Sequence, residues 1–146
     1  MRLALQRSVV AVVIGSLPVI TAARLQVWAS PRALWSEAIQ HSPGKPRPWV
    51  NYGTELVRDG DEAIAGHAFQ HAAGLSRLRM RVEGPMRGLD VALFNLAILR
   101  ANAGQYDEAL TLTAAIVPLV TDGRLVEFLE RQWISARDSG GPAASF

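Results

Sequence analysis

Two histidines, His67 and His71, stand four residues apart, a spacing that places both side chains on one face of a helix and can bind a metal ion. The helical metalloprotease pattern has a glutamate after the first histidine, whereas Ala68 follows it in this chain. The third histidine, His41, is distant in sequence. We therefore interpret the pair as a solvated helix face and expect no metal site.

The acidic residues that could serve as a general acid and base fall into two groups, Asp59 with Asp61 and Glu62, and Asp107 with Glu108. Both groups are predicted at helix starts, where a carboxylate is favoured by the helix dipole. The chain has no cysteine, no Gly-rich phosphate loop and no recognisable triad motif, so thiol nucleophiles and disulfides are excluded. We expect no catalytic residues, no cofactor and no enzyme activity.

A third pattern favours binding. Four residues with a 4-3-4 spacing share one side of a predicted helix, away from Trp49, Tyr52 and Leu56: Arg47, Asn51, Thr54 and Arg58. A later helix carries a similar stripe, made of Phe94, Asn95, Ile98 and Asn102. Arginine and asparagine can bind a carboxylate or a peptide backbone, and the apolar side chains offer contact area. The alternative is an ordinary solvated helix face.

The charge of the chain does not point to nucleic acid. The formal net charge of the 146 residues is only +2, and Lys45 is the only lysine. A cluster of arginines occurs at positions 77, 79, 81 and 87, but no aromatic residues interleave with it as a stacking platform requires. We expect a protein or peptide partner and no nucleic acid.

The N-terminus has the pattern of a targeting or membrane segment. Residues 8–23 carry no charge and follow the basic residues Arg2 and Arg7. As a helix this stretch would be roughly 24 Å long, and residues 3–5 and 25–28 could extend it towards the bilayer thickness of about 30 Å. We predict a membrane anchor through residues 3–23; a cleaved signal peptide and a buried soluble helix are the alternatives. The two arginines would keep the N-terminus inside, and the remaining domain outside the cytoplasm, at an inner or plasma membrane.

Apolar periodicity and breaker residues predict an all-α chain. Pro43, Gly44, Pro46 and Pro48 are predicted to form a stiff connector, and Asp61 and Asp90 to cap the helices that follow them. The predicted helices span residues 31–41, 49–58, 62–81, 90–103, 106–117 and 124–137. This gives three parts: an anchor or signal segment (1–28), a helical domain (29–138) and a flexible tail (139–146).

Two of the predicted helix pairs repeat one pattern. The triplet at 51–53 corresponds to the triplet at 95–97, and each ends in a small residue, Gly53 or Ala97. A glycine follows seven residues after this small residue in both pairs (Gly60 and Gly104), and an alanine follows twelve residues after it (Ala65 and Ala109). Such small residues allow two antiparallel helices to cross closely. Thr113 and Ile116 depart from the pattern, as do about ten extra residues around positions 77–88.

This pattern, over residues 31–120, resembles the tetratricopeptide repeat. The resemblance implies a short solenoid of antiparallel helix hairpins with a C-terminal capping helix. In that family the first helix of each pair lines a concave ligand face, so both stripes would meet an extended peptide or another protein. The chain is thus expected to be a membrane-tethered interaction scaffold.

A narrower resemblance concerns the junction after the hydrophobic segment, carried by Val27-Trp28, Leu34-Trp35, Ser42-Pro43, Arg47 and Asn51-Tyr52-Gly53. It looks like the point where the last span of polytopic membrane sugar-transferase-like proteins passes into such repeats. It implies an alternative function, the detached repeat portion of such a protein without a catalytic site of its own. A secreted binding protein is a third possibility.

Overall fold

The computed structural model describes residues 30–83, 88–120 and 122–140, together with Thr21 and Trp28. This part of the chain is all-helical, which confirms the predicted fold class at that level. Its helices are α1 (Pro31–His41), α2 (Pro46–Arg58), α3 (Glu62–Glu83), α4 (Leu89–Asn102), α5 (Tyr106–Ile116) and α6 (Arg124–Ser139), with a short 3-10 helix at Val117–Leu119.

The predicted membrane segment, residues 3–23, lies outside the described residues except for Thr21, as does the tail from 141 onwards. Within the described ranges, every helix is too short or too polar to cross a bilayer. The division of the chain at residues 28 and 138 stays a prediction.

Several helix ends follow directly from local sequence. The Ser30 hydroxyl accepts a hydrogen bond from the Ala33 N–H at 3.3 Å, as an N-cap does, and Pro31 occupies the first helical position. Gly60 and Gly104 end α2 and α4 with φ angles of 85° and 77°. This left-handed backbone favours glycine, so the predicted stops are confirmed.

Two predicted helix starts are wrong. α2 begins at Pro46 rather than at residue 49, so Pro46 and Pro48 belong to its first turn and not to the connector. Proline is tolerated there because the first N–H groups of a helix have no partner within it. Asp90 is not an N-cap: Gly88 holds that position, and the Asp90 carboxylate accepts the Gly88 N–H at 2.9 Å from inside the first turn of α4.

Each helix packs against the next one along the chain, and α2 also contacts α4. The connections from α2 to α3 and from α4 to α5 are three residues long, which makes each pair antiparallel. A Cβ atom added to Gly53 would lie only 2.6 Å from Cε1 of Phe69, so the glycine sets how closely α2 and α3 approach. Ala65, Ala97 and Ala109 are fully buried at the corresponding positions.

The buried residues form two hydrophobic clusters. The main cluster lies between α2, α3 and α4 and includes Leu56, Phe69 and Leu93, and the C-terminal helix α6 closes the second. The buried stripe of α6 consists of Val126, Leu129, Trp133 and Ala136, and of these Leu129 and Trp133 pack with alanines of α4 and α5 in this cluster. Leu125 and Phe128, two other apolar residues of the same helix, are 57% and 43% exposed. Trp133 takes the fully enclosed position on this helix.

Candidate functional site

The first predicted stripe lies on the solvent side of α2. Arg47, Thr54 and Arg58 are exposed and Asn51 is half-buried, whereas Gly53 and Leu56 of the same helix are buried. This distribution follows from the helical period, because residues three or four positions apart lie on one side of a helix and the residues between them face the core. The arrangement presents a row of hydrogen-bonding side chains on a rigid element.

The members of this α2 stripe differ in the hydrogen bonds and ion pairs that they already form within the protein. The Thr54 hydroxyl donates to the Val50 carbonyl of its own helix at 3.0 Å, and Arg58 donates to the Glu55 carboxylate at 2.7 Å. Arg47 forms no ion pair with any described residue. Arg47 is therefore the cation of the stripe that is best placed to accept a new anionic partner.

The second stripe, on α4, is less open than predicted. Phe94 is half-buried and contacts both hydrophobic clusters, and Ile98 packs against the cluster that contains Trp133. Asn95 is half-buried and Asn102 is exposed at the last position of the helix. The apolar members of this stripe thus contribute mainly to packing, and its polar members are what remains for contact with a partner.

A cavity of about 390 Å³ adjoins the N-terminal end of the α2 stripe. It is formed by the starts of α2 and α4 and by the second half of α3, and its lining includes Lys45, Arg47, Val50, Asn51, Ser76, Arg79, Gly88 and Val91. Three of these side chains are cationic and none of the described lining residues is acidic. Arg47 and Asn51, which the helical spacing predicted as binding residues, line this cavity. Ser76, Arg79 and Val91 also line it, and the spacing did not predict them as binding residues.

The two histidines are exposed on α3. The ring of His71 lies 4.3 Å from the ring of Trp49, measured between centroids, with an interplanar angle of 59°. The Trp49 indole N–H donates to the Pro43 carbonyl at 2.9 Å. In the described ranges no three residues of the types His, Cys, Asp or Glu are grouped to hold a metal ion.

Four of the five carboxylates considered as acid–base groups form ion pairs with arginines of other helices: Asp59, Asp61, Asp107 and Glu108. Asp59 and Asp61 accept from Arg32 of α1 at 3.1 and 2.7 Å, and this raises the pKa of the guanidinium above its ordinary value, with Asp59 contributing most. Asp59 lies at the end of α2, so its predicted place at a helix start is wrong.

Asp107 and Glu108 do occupy the first turn of α5, as predicted. They also pair with Arg137 at 3.1 Å and with Arg100 at 3.3 Å. Their positions serve the helix dipole and tie α5 to its neighbours, since both partners belong to other helices.

Comparison with protein-family models, with curated proteins and with solved structures finds no match to this chain.

Proposed function

We propose that this chain is a tetratricopeptide-like interaction scaffold that binds an extended segment of a partner protein or peptide along α2. The observation that carries the proposal is the α2 stripe. Its polar side chains face solvent along the length of a helix whose opposite side is fixed in the core. A rigid row of donors suits an extended chain, because little conformational freedom is lost when it binds.

The packing of the helices supports this proposal. The pairs α2–α3 and α4–α5 follow one another, and α2 contacts α4, so the first helices of the two pairs are neighbours. In the family that the sequence resembles, first helices line the concave ligand face. The polar residues Asn95 and Asn102 of α4 would then extend the surface that the α2 stripe begins.

The chemistry of the stripe favours a partner segment that carries carboxylates. Arginine can bind a carboxylate with two parallel hydrogen bonds, and an asparagine amide can pair with a peptide group. Arg47 and Asn51 are one helical turn apart and both line the cavity. An acidic residue of the partner would therefore meet Arg47, while its backbone runs past Asn51 towards Arg58.

Membrane attachment is the second part of the proposal, and it rests on the uncharged N-terminal stretch and the two arginines that precede it. We expect residues 3–23 to hold the protein in the membrane, with the helical domain outside the cytoplasm. The full-length chain should stay in the membrane pellet after extraction with alkaline carbonate. Recovery of the uncleaved chain in the supernatant would contradict an integral anchor.

Partner binding should depend on the two arginines of the stripe. Replacing Arg47 and Arg58 together with alanine is expected to lower the affinity for the partner by about tenfold or more, since each can form a charged hydrogen bond that is partly shielded from water on binding. A photo-crosslinking residue at Thr54 would capture the partner from membranes, and the capture yield would be compared between wild type and the double variant.

The matched control uses the opposite side of the same helix pair. His67→Ala with His71→Ala removes two exposed side chains of α3 and should leave the capture yield at Thr54 unchanged. A crosslinking residue placed instead at Gln70 should give the same capture yield with and without the Arg47 substitution. If the histidine variant lost binding and the arginine variant kept it, the proposed face would be wrong.

A further inference from the structure

The positive ends of two helices meet at the cavity beside the α2 stripe. α2 starts at Pro46 and α4 at Leu89, and residues at both starts line the cavity. Neither N-cap residue, Lys45 or Gly88, supplies a side-chain hydrogen bond to its helix. The N–H groups of a first helical turn carry a partial positive charge and form ready sites for anions.

The charged side chains around the cavity have the same sign. Lys45, Arg47 and Arg79 line it, and neither Lys45 nor Arg47 pairs with an acidic group in the described part of the chain. The Asp90 carboxylate accepts the Gly88 N–H at 2.9 Å, so it lies beside the cavity although Asp90 is not among the described lining residues. Among the described lining residues, the charged side chains are therefore all cationic.

A buried hydroxyl in the same cavity points to a ligand. Ser76 of α3 is 2% exposed, and its Oγ has no hydrogen-bond partner among the described residues. A Cβ atom on Gly88 would lie 4.0 Å from this oxygen, which places the hydroxyl against the start of α4. An unpaired buried hydroxyl is unfavourable, so an acceptor supplied by a ligand would remove this penalty.

We propose that this cavity binds a phosphate group. A phosphate has oxygens for an arginine fork, a lysine, a serine hydroxyl and helix N–H groups at once, and its double negative charge matches several cations better than a single carboxylate does. Val50 and Val91 provide apolar wall for the carbon atoms that carry the phosphate. The group can come from a soluble phosphomonoester or from a lipid headgroup that is itself a phosphomonoester, as in phosphatidic acid. The site shares Arg47 and Asn51 with the proposed partner surface but does not depend on that function.

The test is a thermal-unfolding titration of the full chain in neutral detergent, with inorganic phosphate against sodium chloride at equal ionic strength. Phosphate should raise the unfolding temperature in a saturable way that chloride does not reproduce, because a ligand stabilises the state that binds it. Arg47→Ala should weaken phosphate binding by about tenfold. Arg58→Ala is the control, since Arg58 lies at the other end of α2, and it should bind phosphate as the wild type does.

Ser76→Ala separates a binding role from a structural one. Without phosphate this variant should be as stable as the wild type or more stable, because it removes a buried hydroxyl with no partner and places alanine in a helix. With phosphate it should gain far less than the wild type gains. A structural serine would behave in the opposite way and lower the unfolding temperature in both conditions.

A parallel titration with a short-chain phosphatidic acid, below its micelle concentration, distinguishes the sources of the phosphate. If inorganic phosphate binds and its binding depends on Arg47 and Ser76, the ligand is a soluble phosphate compound. If only the lipid binds with this dependence, the ligand is a lipid headgroup. Equal stabilisation by chloride, or wild-type binding of both probes by the Arg47 and Ser76 variants, would overturn the proposal. Partner capture at Thr54 is read independently, so a failure of one proposal leaves the other measurable.

Discussion

Replacing Gly53 with leucine is expected to unfold the helical domain. Even a methyl group at this position would lie 2.6 Å from Cε1, 2.9 Å from Cδ1 and 3.0 Å from Cζ of Phe69. The two shorter distances are closer than non-bonded carbons approach in folded proteins. The ring cannot move aside, because Phe69 is buried in the main hydrophobic cluster. Relief requires α2 and α3 to separate, which would disturb the most extensive helix contact in the domain.

The expected cost is at least about 3 kcal/mol, at the upper end of the range for overpacked cores and a large share of the stability of a small domain, about 5–15 kcal/mol. Circular dichroism during heating should show the unfolding midpoint lowered by about 10 °C or more, or no cooperative transition. Ala65→Leu should act in the same direction, since Ala65 is fully buried on the facing helix.

Gly74→Ala is the matched control for the Gly53 variant. Gly74 is also a helical glycine, but a Cβ atom there would meet nothing within 4 Å. Alanine is the better helix former by about 0.8–1.0 kcal/mol, so this variant should melt slightly higher than the wild type. Unchanged melting of Gly53→Leu, beside the expected gain for Gly74→Ala, would mean that α2 and α3 do not cross at Gly53.

The sequence predicts most of the helical framework because its signals are local. Breakers such as Gly60 and Gly104 act through their own backbone angles, and the Ser30 cap acts within one turn. The errors occur where a residue fits two local structures. Proline can end a connector or open a helix, and the choice of the second at Pro46 and Pro48 depends on how α2 packs in three dimensions.

The candidate site could be predicted only in part, for a related reason. The helical period assigns Arg47 and Asn51 to one side of α2 from sequence alone. The cavity adds Ser76, Arg79 and Val91, which come from two other helices and are joined to α2 only by the packing. The arginine cluster near position 77 was visible in the sequence, but no periodicity indicated that one of its members would face the start of α2.

The position of α6 bears on the α4 stripe. The family resemblance predicts a capping helix, and α6 covers a hydrophobic cluster against which Phe94 and Ile98 also pack. These two residues were predicted as partner contacts. How much apolar surface they can offer to a partner depends on how closely α6 packs beside them. Loosening α6 would convert them from packing residues into an exposed apolar patch.

Trp133→Ala is expected to detach α6 and to cost about 3–5 kcal/mol in unfolding free energy, measured by urea denaturation. The indole is fully buried, and its N–H has no hydrogen-bond partner among the described residues, so what it contributes is packing. Trp133→Phe keeps much of that packing and loses no hydrogen bond, and it should therefore cost much less than the alanine variant. Hydrogen exchange should speed up across α4 around Phe94 and Ile98 in the alanine variant only. Equal costs for phenylalanine and alanine would contradict the view that the packing of one large apolar side chain holds α6 in place.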